Sequence, residues 1–314
     1  MVSQPASFAF IGLGNMGIGM ATNLRKKLPQ STPMVVYDIN QAAIDAFIKR
    51  TVDIGNVIVA KNCADAAKQV ECVITIVPEG SHVKAAYLTP ETGILAGCKG
   101  KTGMLLIDCS TIDTESSLEV GKAAAAIGVD FADAPVSGGT LGSEKGTLTF
   151  MIGAKKESET FQRIETFVKC MGATVFPCGA PSLGLGAKLS NNYLSAILSL
   201  GTSEALNLGM RIGLDPKVLS DIFSVSTSSN YINNVSNPVP HICPEAPASH
   251  GYAPGFKIQL MRKDITLALK AAKDVNAKII LGDELLAAFS AASEDPRCKD
   301  LDSRVIYRWI GGKE

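Results

Sequence analysis

The sequence predicts an α/β fold: a doubly wound, largely parallel sheet followed by an all-helical domain. Three observations carry this expectation. Short continuous apolar runs alternate with helical patterns through the first part of the chain, as strands buried on both faces of a parallel sheet do. A glycine-rich turn joins the first run to the first helix. After Lys188 the chain has little strand character, and the long helix that carries this residue is apolar nearly all round.

The first run is Phe8-Ala9-Phe10-Ile11, and Gly12-Leu13-Gly14-Asn15-Met16-Gly17 follows at once. Helical character continues to Lys27, and Met34-Val35-Val36-Tyr37 forms a second strand closed by Asp38. Strand, glycine turn, helix, strand and acid is the order of a Rossmann-like dinucleotide site. The first glycine permits the tight turn, the second admits a pyrophosphate to the backbone, and the third lets helix and strand pack closely. The helix then offers unpaired N–H groups to the phosphates. Asp38 lies 21 positions beyond Gly17. A carboxylate there accepts from both ribose hydroxyls and repels a 2′-phosphate, which points to NAD. The alternative is that Asp38 caps a helix beginning near Gln41.

Further buried strands are expected at residues 72–77, 104–109 and 129–134, with a helix over 114–127. Ligands of such sheets bind at the carboxyl ends of the strands. Val77-Pro78, Ser110-Thr111 and Ser137-Gly138-Gly139 fall there. The last of these can present a hydroxyl and closely spaced N–H groups to a carboxylate, or it can be an ordinary strand-to-helix turn. A strand at 146–152, a helix over 157–169 and a strand at 174–176 complete the domain. Residues 177–182 read as its exit, giving a dinucleotide-binding domain over 1–181 and a helical domain over 182–314.

The long helix is expected over 183–212, buried or shared with a second chain. Lys188 and Asn192 are four residues apart on it and so share one face. A lysine inside an apolar helix is costly to bury without a partner or a task. Asp215 and Pro216 start the next helix as cap and first residue. Residues 236–255 form a proline-rich loop. Helices over 256–277, which carries Lys263 and Asp264, and over 281–292 precede an apolar tail at 305–310.

Lysine plus arginine and aspartate plus glutamate number 30 each, and 46% of the 314 residues are hydrophobic. That balance speaks against nucleic acid or an anionic membrane as the main partner. No run of about 18 apolar residues reads as a membrane span. Eight scattered cysteines without a Cys-x-x-Cys pair, and three histidines without ligand spacing, point to free thiols and to no metal. The first strand begins close to Met1, so the chain is expected either to be cytosolic or to have lost a presequence.

Taken together, several blocks resemble the β-hydroxyacid dehydrogenase family over nearly the whole chain. They are residues 12–24 (GLGNMGIGMATNL), 133–139 (DAPVSGG), 146–151 (GTLTFM) and 184–192 (GLGAKLSNN), and Phe256 with Leu260-Met261 and Lys263-Asp264. The resemblance implies that Lys188 is the catalytic lysine and that Asn192 orients the substrate. It implies that Ser137, Gly138 and Gly139 hold the substrate carboxylate, and that Lys263 stands near nicotinamide and substrate. Val77, Pro78 and Thr111 would join Gly12, Leu13, Gly14, Asn15, Met16, Gly17 and Asp38 in contacting the cofactor. His82 departs from the asparagine of mitochondrial members, residues 262–266 read Arg-Lys-Asp-Ile-Thr rather than Ala-Lys-Asp-Leu-Gly, and residues 230–235 also differ.

The implied reaction is NAD-dependent oxidation of a short 3-hydroxy acid, foremost 3-hydroxyisobutyrate to methylmalonate semialdehyde. Lys188 would serve as general acid/base. Related implications are a homodimer or homotetramer and a mitochondrial location. Reduction of tartronate or succinic semialdehyde, or oxidation of serine, are alternative activities, and an inert binding module is a further one.

Overall fold

A computed structural model describes residues 5–253 and 255–314. The chain divides into two compact units, Met1–Lys188 and Leu189–Glu314.

The first unit alternates strands and helices. It begins β1 (Phe8–Ile11), α1 (Gly17–Lys27), β2 (Met34–Tyr37), α2 (Gln41–Thr51), β3 (Val57–Val59), α3 (Cys63–Lys68) and β4 (Cys72–Thr75). It continues with α4 (Gly80–Leu88), α5 (Ile94–Cys98), β5 (Leu105–Asp108), α6 (Thr114–Ala125) and β6 (Asp130–Asp133). These six strands form one sheet in the order β3-β2-β1-β4-β5-β6, every pair parallel. The order reverses between β1 and β4, the switch point at which such sheets bind ligands.

Two-residue periodicity divides β1 between two cores. Phe8 and Phe10 pack with Met20, Leu24, Phe161 and Ile164 on one face. Ala9 and Ile11 pack with Ala66, Val83 and Val120 on the other. Burying a side chain of the size of Phe10 contributes about 1.5–3 kcal/mol, and Phe10 is fully buried.

After β6 come β7 (Val136–Ser137), α7 (Gly139–Lys145), β8 (Leu148–Ile152), α8 (Glu159–Val168) and β9 (Gly172–Pro177). The strands expected near 146–152 and 174–176 do not extend the main sheet. They form a separate three-stranded sheet with β7, antiparallel in β7/β8 and parallel in β8/β9. Strand β3 is a short edge strand with Ile58 and Val59 exposed, so it carries no buried apolar run to betray it.

Helix α9 (Leu183–Ile212) has 30 residues, about 45 Å at 1.5 Å per residue. Its first turns belong to the first unit. The second unit adds α10 (Pro216–Val225), α11 (Tyr231–Asn234), α12 (Ile258–Asp274), α13 (Gly282–Glu294) and α14 (Ile306–Trp309). Asp215 caps α10, accepting from Lys217 N at 2.9 Å and Val218 N at 3.0 Å, with Pro216 at the first position. Ala196, Met261, Ile265, Leu285, Phe289 and Ile306 centre its core. The proline-rich stretch holds a short 3₁₀ turn at Pro247–His250, and the tail at 305–310 is largely α14.

Candidate active site

Gly12 turns at φ 96° directly after β1, and a Cβ there would lie 2.1 Å from the Ile76 carbonyl oxygen. Gly17 is as constrained, since its Cβ would stand 1.9 Å from the Gly12 oxygen. A Cβ on Gly14, by contrast, would meet nothing within 4 Å. Two glycines therefore bring strand, turn and helix together, and the middle one faces open space. No side chain caps the N-terminus of α1, whereas Asn40, Asn62, Asp113 and Ser158 cap α2, α3, α6 and α8. An uncapped N-terminus behind an open glycine fits a pyrophosphate.

Asp38 does not cap α2; Asn40 does, accepting from Ala42 N at 3.1 Å. The Asp38 carboxylate accepts from Leu13 N at 2.6 Å through Oδ2 and from Asn40 N at 2.8 Å through Oδ1. It thus ties the end of β2 to the glycine turn. Each oxygen retains lone-pair capacity for a ribose hydroxyl.

The ends of β4 and β5 are joined by a buried hydroxyl network. Asp108, 1% exposed, accepts through Oδ1 from Thr75 Oγ1 at 2.7 Å and from Ser110 Oγ at 2.6 Å. Tyr87 and Thr75 hydroxyls lie 2.9 Å apart, and Ser110 Oγ accepts from Val77 N at 2.9 Å. Asp108 therefore holds both strand ends that present Val77-Pro78 and Ser110-Thr111. Val77 and Thr111 are partly exposed and Pro78 is exposed. His82 is exposed on α4. Burial, opposed by these hydrogen bonds, pushes the Asp108 carboxyl up to about 6.

Ser137 ends β7, and Gly138 (φ 134°) and Gly139 (φ 63°) lead into α7 through a conformation other residues rarely adopt. Helix α7 docks on α1. Ser143 Oγ donates to the Met16 oxygen at 2.5 Å, and Asn23 Nδ2 donates to the Ser143 oxygen at 2.7 Å. Arg50 pairs with Glu144 across the same contact. The Ser-Gly-Gly turn and the glycine turn after β1 are thereby held in one frame.

Lys188 lies near the start of α9 and is only 7% exposed. Asn192, one turn on, is 6% exposed. Within the second unit the Asn192 amide donates to Asp264 Oδ2 at 2.5 Å. A carboxylate only accepts, so the amide nitrogen faces it. Lys263 Nζ stands 3.2 Å from Asp264 Oδ1. That oxygen makes no directed hydrogen bond, so the contact is an ion pair only. Asp264, 1% exposed, thus links Asn192 and Lys263.

Three acids, two in the first unit and one in the second, have partners that local pattern did not reveal. Asp108 and Asp133 end β5 and β6, and Asp264 neighbours Lys263; an acid closing a buried apolar strand was the available signal. Among the described residues no group of three histidine, cysteine or acidic side chains is placed to hold a metal. Among the same residues no helix is long and apolar enough to cross a membrane.

Two family profiles match in succession. Residues 7–179 match the NAD binding domain of 6-phosphogluconate dehydrogenase. Residues 183–310 match the NAD-binding domain of NADP-dependent 3-hydroxyisobutyrate dehydrogenase. A 3-hydroxyisobutyrate dehydrogenase of Pseudomonas aeruginosa is 41% identical, over 98% of this chain and 99% of the relative. An NAD-dependent L-serine dehydrogenase of the same organism is 38% identical, over 90% of each chain. The solved structure of Mycobacterium tuberculosis 3-hydroxyisobutyrate dehydrogenase with L-serine superposes with a TM-score of 0.86 at 30% identity, covering 97% of this chain and 99% of that one. With both domains present in order and relatives matched end to end, the chain belongs to the β-hydroxyacid dehydrogenase family, oxidoreductases that work with a nicotinamide dinucleotide.

Proposed function

We propose that this protein oxidises a short 3-hydroxy acid to its semialdehyde with NAD⁺, foremost 3-hydroxyisobutyrate to methylmalonate semialdehyde. The observation that carries the reading is Lys188, a lysine only 7% exposed near the start of the long helix α9. The nicotinamide, when bound, accepts the hydride from the carbon bearing the 3-hydroxyl. Lys188 takes the hydroxyl proton on its neutral amine in oxidation and returns it to the nascent alkoxide in reduction. Asn192, with one amide hydrogen given to Asp264, offers the other to a substrate oxygen. Ser137, Gly138 and Gly139 receive the carboxylate through a hydroxyl and backbone N–H groups. Lys263 is assigned to the nicotinamide and substrate side, held by Asp264. Gly12 to Gly17, Val77, Pro78 and Thr111 cradle the dinucleotide, and Asp38 selects NAD over NADP.

L-Serine is itself a 3-hydroxy acid, and both the serine dehydrogenase relative and the serine-bound structure favour it as a second substrate reading. A panel of 3-hydroxy acids and semialdehydes, assayed with both cofactor pairs, ranks these. Within that assay Lys188→Met keeps most of the side-chain volume and should bind NADH normally, yet reduce the semialdehyde about 10²–10⁴-fold more slowly. Near-normal hydride transfer in this variant removes the role assigned to Lys188.

The assembly we propose is a homodimer or homotetramer. Val218, Ile222 and Val225 recur at helical spacing on α10, and they are 52%, 47% and 87% exposed. Such a stripe favours cover by another surface. Sedimentation at micromolar concentration measures the state, and a monomer there removes this assignment.

A further inference from the structure

We infer that Asp133 is a positioning residue for Lys188, setting where the lysine stands by anchoring the first turn of α9. The inference rests on the role proposed for Lys188. Asp133 ends β6 and is 1% exposed. Its Oδ1 accepts from Ser182 N at 2.7 Å and its Oδ2 from Leu185 N at 2.9 Å. These amides, 49 to 52 residues away in sequence, start the helix that carries Lys188.

The first N–H groups of a helix lack intrahelical acceptors. Most helices with a side-chain cap in this chain take it from the adjacent residue; α9 instead takes a carboxylate from the sheet. A negative charge at that end also complements the helix dipole. Ser182 sits in the left-handed region at φ 70°, a costly conformation for a residue with a side chain unless the surroundings hold it. The bond from its own N–H to Asp133 is one such restraint.

The fit around the carboxylate has no slack. A Cβ on Gly153 would fall 1.9 Å from Oδ1. A Cβ on Gly184 would fall 2.2 Å from the Met151 oxygen and 2.8 Å from Oδ2. Gly153 N in turn donates to the Asp133 backbone oxygen at 2.8 Å. Strand end, glycines and helix start are therefore clamped together.

Leu185 precedes Lys188 by three residues, about 4.5 Å along the helix axis. A tilt or slip of the first turn therefore reaches Lys188 almost undamped. Misplacing a reacting group by about 1 Å can cost about 10²-fold in rate. Both Asp133 oxygens are committed to backbone amides, so its part is placement, with the proton transfer left to Lys188.

The test uses the full chain with NADH and the semialdehyde. Asp133→Asn replaces one acceptor by a donor facing an N–H group, so one helix-start amide loses its partner. Expected are an NADH dissociation constant within about threefold, from fluorescence titration, and a kcat lower by at least about tenfold, by the same misplacement argument. The kcat–pH profile should shift as well, because a displaced lysine titrates in altered surroundings. In the double variant with Lys188→Met, the loss should not exceed that of Lys188→Met alone, since one acts through the other. A lowered melting temperature with unchanged kcat per folded enzyme would overturn the inference, and so would losses that add. Should Asp133→Asn be too unstable to assay, Gly184→Ala displaces the helix start with the carboxylate intact, and unchanged kcat there overturns the inference equally. Lys188→Met separates the two readings. Normal turnover in it removes the role of the lysine, whereas slow Lys188→Met beside normal Asp133→Asn removes only the positioning.

Discussion

Replacing Asp108 with asparagine should change how stability depends on pH, in a direction opposite to that of ordinary paired carboxylates. Asp108 is 1% exposed at the end of β5, and its Oδ2 has no hydrogen-bond partner among the described residues. Burial raises its carboxyl from 3.8 to about 6, although hydrogen bonds from Ser110 and Thr75 to Oδ1 pull the other way. Between those two values the folded chain holds a proton that the unfolded chain has released. Stability from this group is therefore complete below about pH 4, falls as pH rises, and is gone above about pH 6. The interval between those two values corresponds to about 3 kcal/mol. Asparagine stands in for the neutral acid at every pH, so its packing cost is a constant offset. Urea unfolding followed by circular dichroism, from pH 4 to pH 7, gives the stability difference between the two proteins. That difference should move by about 3 kcal/mol in favour of the variant across this range. Comparing the two proteins rather than absolute values cancels every contribution they share, that of the second unit included. Parallel pH profiles for the two proteins would refute the reasoning, because Asp108 would then titrate alike folded and unfolded.

Two further outcomes test the cofactor and substrate ends of the site. Asp38→Ser with Ile39→Arg should move the ratio of kcat/KM from NAD⁺ toward NADP⁺, since Ile39 is 91% exposed and beside the carboxylate; Asp38→Ser alone should weaken both cofactors, because the Leu13 amide loses its acceptor. Equal turnover with NADP⁺ in the unmodified protein would remove this argument. Gly138→Val should raise KM for the acid while NADH binding survives, as the glycine holds φ 134° and a Cβ there would lie 3.0 Å from Leu148 Cδ2. Unchanged affinity for the acid in that variant would reduce Ser137-Gly138-Gly139 to a simple turn.

The local grammar of the first unit was legible in the chain alone. Phe8-Ala9-Phe10-Ile11, the glycines and Asp38 announce strand, turn, helix and acid because each step depends on neighbours a few residues apart. Apolar runs at β4 and β5 read as buried strands for the same reason, and Asp215 with Pro216 marked the start of α10. Strand β3 escaped because an exposed edge strand of three residues needs no apolar run. The strands β8 and β9 were legible as strands, but their membership of a second sheet was not, since alternation records a buried face and no partner.

What only the tertiary structure decided is which distant groups meet. The helix-cap alternative for Asp38 stays open until Asn40 is found capping α2 and the Asp38 carboxylate on the Leu13 amide. Asp133 meets amides 49 to 52 residues away, Asn23 meets α7 at 120, and Asn192 meets Asp264 at 72. A buried carboxylate must find donors, and that requirement is written in the residue itself. Which donors satisfy it depends on the order of strands in the sheet and on how the chain closes over long loops, and neither leaves a local period. Sequence therefore determined the elements and the chemistry available at their ends, and the fold determined which of those acids hold the dinucleotide turn, the strand ends and the helix bearing Lys188.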